Sequence, residues 1–296
     1  MYPEFSLQTI CDVFGKSRQA HYKLLKRSEL LVMQQAIIVK LVEEIRVDLP
    51  RIGGRKLYHI LKDPLLDHGI DIGRDKLFDT LADFGLLIKK KKRRKPITTD
   101  SDHPFFKYPN LIAGIEVLYP NQIWVSDITY ISLTSGFCYL SLITDAYSRK
   151  IVGYCLWRNL SRQGPLNALV MAMENTGFQS GLIHHSDRGL QYCCSEYIKL
   201  LENNRIAISM TKNGDPYENA QAERVNGILK SEFNLDKGYK SFELALEAVT
   251  RSIEKYNGIR PHASCNYLTP NEAFTLTGTI KKRWKTYNKR TLQPAI

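Results

Sequence analysis

Three acidic residues sit where a carboxylate is hard to explain as ordinary surface charge. Asp127 lies in "WVSDITY", a strand-like run whose alternation puts it on the face shared by Val125, Thr129 and Ile131. A carboxylate on such a face has to be paired or has to bind metal. Asp187 lies in "HHSDRGLQYCC", residues 184–194, just past the end of a buried strand, where ligands of mixed and parallel sheets gather. Glu223 belongs to a helical stretch in which Asn219, Glu223, Asn226 and Lys230, spaced i, i+4, i+7 and i+11, share one face. Three such oxygen donors suit a hard cation, Mg²⁺ or Mn²⁺.

His184, His185, Cys193 and Cys194 raise zinc as a competing chemistry. Zinc needs four side chains aimed at one centre. Neighbours on a strand point to opposite faces, so neither adjacent pair presents both members to one tetrahedral site. The expectation is no zinc, with the stretch delivering Asp187 and Gly189 allowing a tight turn or a close backbone approach.

These residues need a sheet and a helix to hold them. "NQIWVSDITYISL", "GFCYLSLITD" and "RKIVGYCLW" are three strand-like runs rich in Ile, Val, Tyr and Trp, joined by short turns that imply antiparallel neighbours. Next come a helix in "GPLNALVMAMENTG", a strand in "GLIHHSD", a helix in "SEYIKLLENN", a strand in "IAISM" and two closing helices. The order βββαβαβαα reads as a mixed sheet with helices on its faces. The first closing helix is expected to start at "DPYE", with Asp215 as cap, Pro216 at the first helical position and Glu218 reaching back. Trp124 reads as core, and Tyr256, Asn257, Arg260 and His262 of "YNGIRPH" as a structural turn.

Upstream, Ile38, Leu41, Val42 and Ile45 share one helical face, Leu57, Ile60 and Leu61 a second, and Leu77 and Leu81 a third that stops at Gly85. Three short helices with glycine-containing turns fit a helix-turn-helix unit whose third helix, with Arg74 and Lys76 near its start, would read the DNA groove. "SLQTICDVFGKSRQAHYKLLKR" could be another such unit. No heptad pattern is sustained.

The 296 residues suffice for two domains, and a formal charge of +12 favours a polyanionic partner. The excess is spread along the chain: 20 Lys and Arg against 13 Asp and Glu in residues 1–100, and 22 against 17 after them. Lys89, Lys90, Lys91, Lys92, Arg93, Arg94 and Lys95 form an unbroken basic run, a linker or a phosphate-contacting arm. The tail "KKRWKTYNKR", residues 281–290, carries basic and aromatic residues suited to phosphates and stacking. No apolar run is long enough for a membrane span, the start lacks a signal-peptide pattern, and the six cysteines are scattered. A cytoplasmic location is expected.

"WVSDITYI", "HSDRGLQY", "ENAQAERVNGILKSEF" and "YNGIRPH...LTP", in that order, resemble the insertion-sequence transposases of the retroviral-integrase superfamily that carry an "HSDxGxQY" signature. Thirty-five residues separate Asp187 from Glu223, the D-35-E interval of that family. Ser126 stands where threonine is common, and Glu218 where aspartate is. The resemblance implies an α/β fold, a ribonuclease-H-like mixed sheet preceded by a small all-α helix-turn-helix region. It carries the catalytic and metal-binding roles to Asp127, Asp187 and Glu223, with two Mg²⁺ or Mn²⁺ ions per site. Lys230 matches a basic position that the family uses near the DNA end, and Asn219 on the same helix face is a candidate for positioning DNA, the alternative being a solvated face. The reaction implied is cleavage of the ends of an insertion sequence and their joining to target DNA. The partners implied are terminal inverted repeats, target DNA, further copies of the chain on DNA, and an upstream helix-turn-helix and coiled-coil protein if this member uses one. The location implied is a bacterial cytoplasm, at the nucleoid. The expected domains are a helical segment at 1–34, the helix-turn-helix region at 35–88, a basic linker at 89–115, the catalytic core at 116–275 and a basic tail at 276–296. Two other readings are weaker. A DNA-binding regulator would be free to lose a carboxylate, and a resolvase-type or repair nuclease does not account for the D-35-E interval and "YNGIRPH".

Overall fold

The computed structural model describes residues 6–89, 104–177, 180–212 and 219–283, and these divide into two compact units. The expected cap Asp215, Pro216 and Glu218, residues 90–95 of the basic run and residues 284–290 of the tail lie outside the described residues.

The first unit, residues 6–48 with 53–88, is all helical: α1 (Leu7–Val13), α2 (Arg18–Asp48), α3 (Gly54–Asp67) and α4 (Arg74–Asp83). Its core is the set of faces read from the sequence. Ile38 and Val42 of α2, Leu57 and Leu61 of α3, and Leu77 and Leu81 of α4 are all buried. Gly54 fixes the approach of α3 to α4, because a Cβ there would stand 2.7 Å from Cζ of Phe78.

The division between 34 and 35 falls inside α2, which runs unbroken for 31 residues. Helix α3 continues through Pro64 to Asp67. A proline inside a helix forfeits a hydrogen bond. Leu65, one residue on, is 2% exposed, and burying a leucine contributes about 1.5–3 kcal/mol toward continuing the helix.

The second unit, residues 49–52 with 89–283, is built on a five-stranded sheet. Its strands are β1 (Ile123–Leu133), β2 (Gly136–Asp145), β3 (Ile151–Trp157), β4 (Ile183–Ser186) and β5 (Ala207–Met210), in the order β3-β2-β1-β4-β5. β1, β2 and β3 are antiparallel neighbours; β4 pairs parallel to β1, and β5 parallel to β4. β1 is therefore the central strand.

α5 (Gln163–Thr176) joins β3 to β4 and lies directly on β3. A Cβ on Gly153 would come 2.2 Å from the carbonyl oxygen of Ala168, so only glycine allows that approach. α6 (Leu190–Cys193) and α7 (Ser195–Asn203) follow β4; α8 (Ala220–Glu232) and α9 (Phe242–Gly258) follow β5. A short 3₁₀ turn at Ala263–Cys265 and α10 (Pro270–Ala273) come last.

Trp124 is fully buried in the core with Ile143, Leu169 and Tyr197, its indole N–H donating to Oδ1 of Asn121 at 3.0 Å. Among the described residues no helix is long and apolar enough to cross a membrane.

Candidate active site

Asp127 stands near the middle of β1, opposite Leu142 of β2. Its Oδ1 accepts from the backbone N–H of Ile128 at 2.9 Å, and its Oδ2 accepts from Nδ2 of Asn226 on α8 at 2.7 Å. Burial and then the negative charge of Asp187 push its carboxyl up to about 7, with Glu223 adding to the repulsion and the two hydrogen bonds opposing it. Asp187 follows the last residue of β4, and the pairing of β4 with β1 brings it to the same end of the sheet. The backbone N–H of Gly189 donates to its Oδ1 at 3.0 Å. A Cβ on Gly189 would sit 3.0 Å from that same oxygen, so of the two uses foreseen for this glycine the structure shows the close approach.

Glu223 occupies the first turn of α8 and is exposed. Among the described residues no three His, Cys, Asp or Glu side chains converge tightly enough to hold an ion. Asp127 and Asp187 thus share one electrostatic site, with Glu223 at its edge. Like charges repel and Glu223 is free to stay solvated, which accounts for the open arrangement.

Lys230, two turns further along α8, lies over the ring of Tyr130 with Nζ 3.8 Å from its centroid. Burial lowers its ammonium to about 8, opposed by the attraction of Asp127 and Asp236. It places a cation beside Asp127. Asn219, expected to contact DNA, makes a structural bond. It is 4% exposed, and its Nδ2 donates to the carbonyl of Ser126 at 3.0 Å, which ties the start of α8 to β1. The bond from Asn226 to Asp127 was not foreseen. The helical spacing puts Asn226 on the face of Glu223 but does not reveal which strand that face meets.

The histidines are committed to structure. Nε2 of His184 lies 2.7 Å from Oγ of Ser126 and 2.9 Å from the hydroxyl of Tyr197, and Nδ1 of His185 lies 2.8 Å from Oγ of Ser209. The cysteines are not on a strand, as the geometric argument against zinc assumed. Cys193 ends α6 and Cys194 caps α7. They still diverge, Cys193 Sγ toward the sulfur of Met210 at 3.7 Å and Cys194 Sγ toward the carbonyl of Gln191 at 3.2 Å.

"YNGIRPH" runs from the last turn of α9 into the segment after it, and its side chains make structural bonds. Asn257 brackets Ile151, accepting its N–H at 3.0 Å and donating to its carbonyl at 2.9 Å. The Tyr256 hydroxyl donates to the carbonyl of Arg149 at 3.0 Å. Arg260, 1% exposed, grips both carboxylate oxygens of Glu232 at 2.9 Å. In the first unit, Arg74 pairs with its neighbour Asp75 at 2.8 Å, and Lys76 follows on the same helix. Lys89, the last described residue of its segment, offers its carbonyl to Arg51 at 3.0 Å.

Residues 118–216 and 204–270 each match a family described as "Integrase core domain". The insertion element IS600 uncharacterized 31 kDa protein of Shigella sonnei is 33% identical over 265 residues, covering 88% of this chain and 96% of that protein. The chain belongs to the insertion-sequence DDE transposases of the integrase superfamily. This transposase is also 28% identical over 271 residues to the Escherichia coli transposase InsF for insertion sequence IS3A, covering 91% of this chain and 94% of that protein. A solved HTLV-2 integrase catalytic core domain in complex with magnesium is 18% identical, with 54% of this chain and 99% of that chain covered and a TM-score of 0.44. The core of the transposase, with its mixed five-stranded sheet and flanking helices, is ribonuclease-H-like, as the resemblance implied.

Proposed function

We propose that this transposase cuts the ends of an insertion sequence and joins them to target DNA, with Asp127, Asp187 and Glu223 as its catalytic carboxylates. The observation that carries the reading is the unfavourable position of Asp127, a carboxylate in the central strand, raised by burial and by the charge of Asp187, with Lys230 nearby. The chemistry of the donors suits a divalent cation, since they are hard carboxylate oxygens and its charge would offset the repulsion once Glu223 turns toward Asp127 and Asp187. When bound, two Mg²⁺ or Mn²⁺ ions supply charge to the pentavalent phosphate transition state and raise the nucleophilicity of water or of a DNA 3′-hydroxyl.

The chain's own residues do the rest. Asn226 and the Ile128 amide orient the two oxygens of Asp127, and the Gly189 amide orients Asp187. Glu223, on the exposed first turn of α8, can swing toward them. Lys230 offers a cation to a DNA phosphate near the acids. Asn219 supports this arrangement by holding α8 on β1. Arg74, Lys76 and the basic run from Lys89 to Lys95 add phosphate contacts away from the core.

DNA is the partner, as terminal inverted repeats and as target, and the working form is an oligomer assembled on it, with an upstream helix-turn-helix and coiled-coil protein where this member needs one. The bacterial sources of the relatives support a cytoplasmic, nucleoid-associated location. The division into a helical segment at 1–34, residues 35–88 for DNA binding, 89–115 as linker, 116–275 as core and 276–296 as tail belongs to this proposal.

The test uses the purified chain and a duplex carrying the sequences that flank its gene. Mg²⁺ should allow nicking at the element boundary, and Asp187→Asn should abolish it while leaving duplex binding within about twofold. Full cleavage by that variant would remove Asp187 from the mechanism.

A further inference from the structure

The helix expected to read DNA is a poor match to a polyanion. α4 carries Arg74 and Lys76 against Asp75, Asp79 and Asp83, and Arg74 is already paired with Asp75. A stronger candidate lies at the other end of the same unit. α1 is capped by Ser6, whose Oγ accepts from the N–H of Thr9 at 3.1 Å, and it buries Cys11. It ends in a turn in which the N–H of Lys16 bonds the carbonyl of Cys11 at 2.8 Å. Gly15 in that turn takes a φ of +59°, the left-handed conformation that glycine adopts without strain. Ser17 then caps α2, its Oγ accepting from the N–H of Ala20 at 3.1 Å. Two helices joined by a four-residue turn with a left-handed glycine is the construction of a helix-turn-helix.

The second helix of this pair is free along its first turns. Between Asp12 and Glu29 there is no acidic residue, while Lys16, Arg18, Lys23, Lys26 and Arg27 are basic, and all five are exposed. Arg18, Gln19, Tyr22, Lys23, Lys26 and Arg27 are spaced i, i+1, i+4, i+5, i+8 and i+9, so they form a single face. That face is about 15 Å long, comparable with the roughly 12 Å width of a major groove. Its residue types divide the work between phosphates and base edges, with arginine and glutamine able to make paired hydrogen bonds to guanine and adenine.

We propose that α1, the turn at 14–17 and the start of α2 form a duplex-DNA-binding element that contacts DNA through this face. The inference rests on the reading of the chain as a DNA transposase and names where it holds its duplex. The charge of the face is what selects DNA over a protein partner as its occupant. The exposed apolar turn Leu30–Met33 lies further along α2 and is not part of it.

The test is binding of the full-length chain to two duplexes of equal length, one carrying the flanking sequence of the gene and one unrelated, across a range of salt. In Lys23→Gln/Lys26→Gln/Arg27→Gln, all at exposed positions, affinity for both duplexes should fall at least tenfold near 100 mM salt, and the salt slope should drop by about 2–3. Gln19→Ala with Tyr22→Ala should instead lower the preference for the flanking sequence by fivefold or more. Helix content by circular dichroism should match wild type in every variant. A triple variant with wild-type affinity and slope would overturn the proposal, and so would a change in oligomeric mass with unchanged DNA binding, which would make the face a protein interface. Failure of the wild-type chain to bind either duplex would instead count against the transposase reading itself.

Discussion

Asn226 on α8 donates its side-chain N–H to the outer oxygen of Asp127 on β1, 2.7 Å away, across 99 residues of chain. This bond joins the helix that carries Glu223 to the strand that carries the first acid. It also holds a carboxylate in place against burial and the repulsion of Asp187. The bond thus fixes the first acid relative to the helix of Glu223.

The buried pair of Arg260 and Glu232 holds the end of α8 to the turn after α9. Removing one partner of a buried, doubly bonded pair leaves an uncompensated charge and costs about 3–5 kcal/mol. Arg260→Ala should therefore lower the guanidinium unfolding midpoint sharply, while the surviving folded fraction should cleave DNA at a near-normal specific rate. A stable Arg260→Ala protein without activity would move Arg260 into the catalytic machinery.

His184 gives the protein an acid sensitivity. Burial and the adjacent His185 push its imidazole down from 6.5 to about 3, so it is neutral when folded. Above pH 6.5 both folded and unfolded states hold it neutral and nothing is lost. Below pH 6.5 the unfolded chain takes up the proton first, and stability falls by about 1.4 kcal/mol per pH unit until the folded value is reached. Unfolding curves between pH 7 and pH 5 should be steeper in pH for wild type than for His184→Asn by that amount. Equal slopes would show that His184 is not held neutral.

Cys193 and Cys194 face Met210 and the Gln191 carbonyl, and His184 and His185 face hydroxyl groups. Purified protein without an affinity tag should contain no stoichiometric zinc by elemental analysis. Cys193→Ser with Cys194→Ser should keep most of the cleavage rate and lose about 1–2 kcal/mol of stability through packing. One zinc per chain, lost together with activity in that variant, would reinstate the metal reading of the stretch.

The parts of this molecule that could be read in the sequence are those where burial writes a period. The strands around Asp127, Cys138 and Val152 announce themselves by branched and aromatic residues, and Leu77 and Leu81 mark α4 through the face they bury. The first half of α2 was not legible as part of one long helix, because it buries nothing and so carries no periodic apolar stripe. The four residues of α6 are too few to carry a helical pattern in the sequence. The three acids could be singled out by residue type and spacing. Their mutual arrangement could not, because it depends on β4 pairing in parallel with β1, a contact between residues about sixty positions apart.

The most direct measurement is thermal unfolding of wild type and Asp127→Asn near pH 8, with and without Mg²⁺, alongside cleavage of the flanking duplex. The folded carboxyl titrates near 7 against an ordinary value of 3.8, so the unliganded wild type loses stability as pH rises from about 4 to 7 and carries the full cost at pH 8. The asparagine removes that charge and can still accept from Asn226. Asp127→Asn should therefore be more stable than wild type without Mg²⁺, gain little or nothing from adding it, and fail to cleave, whereas wild type should be stabilised by Mg²⁺ and cleave. An Asp127→Asn protein that is stabilised by Mg²⁺ as wild type is, and that cleaves DNA, would contradict the assignment of this carboxylate as the centre of the site.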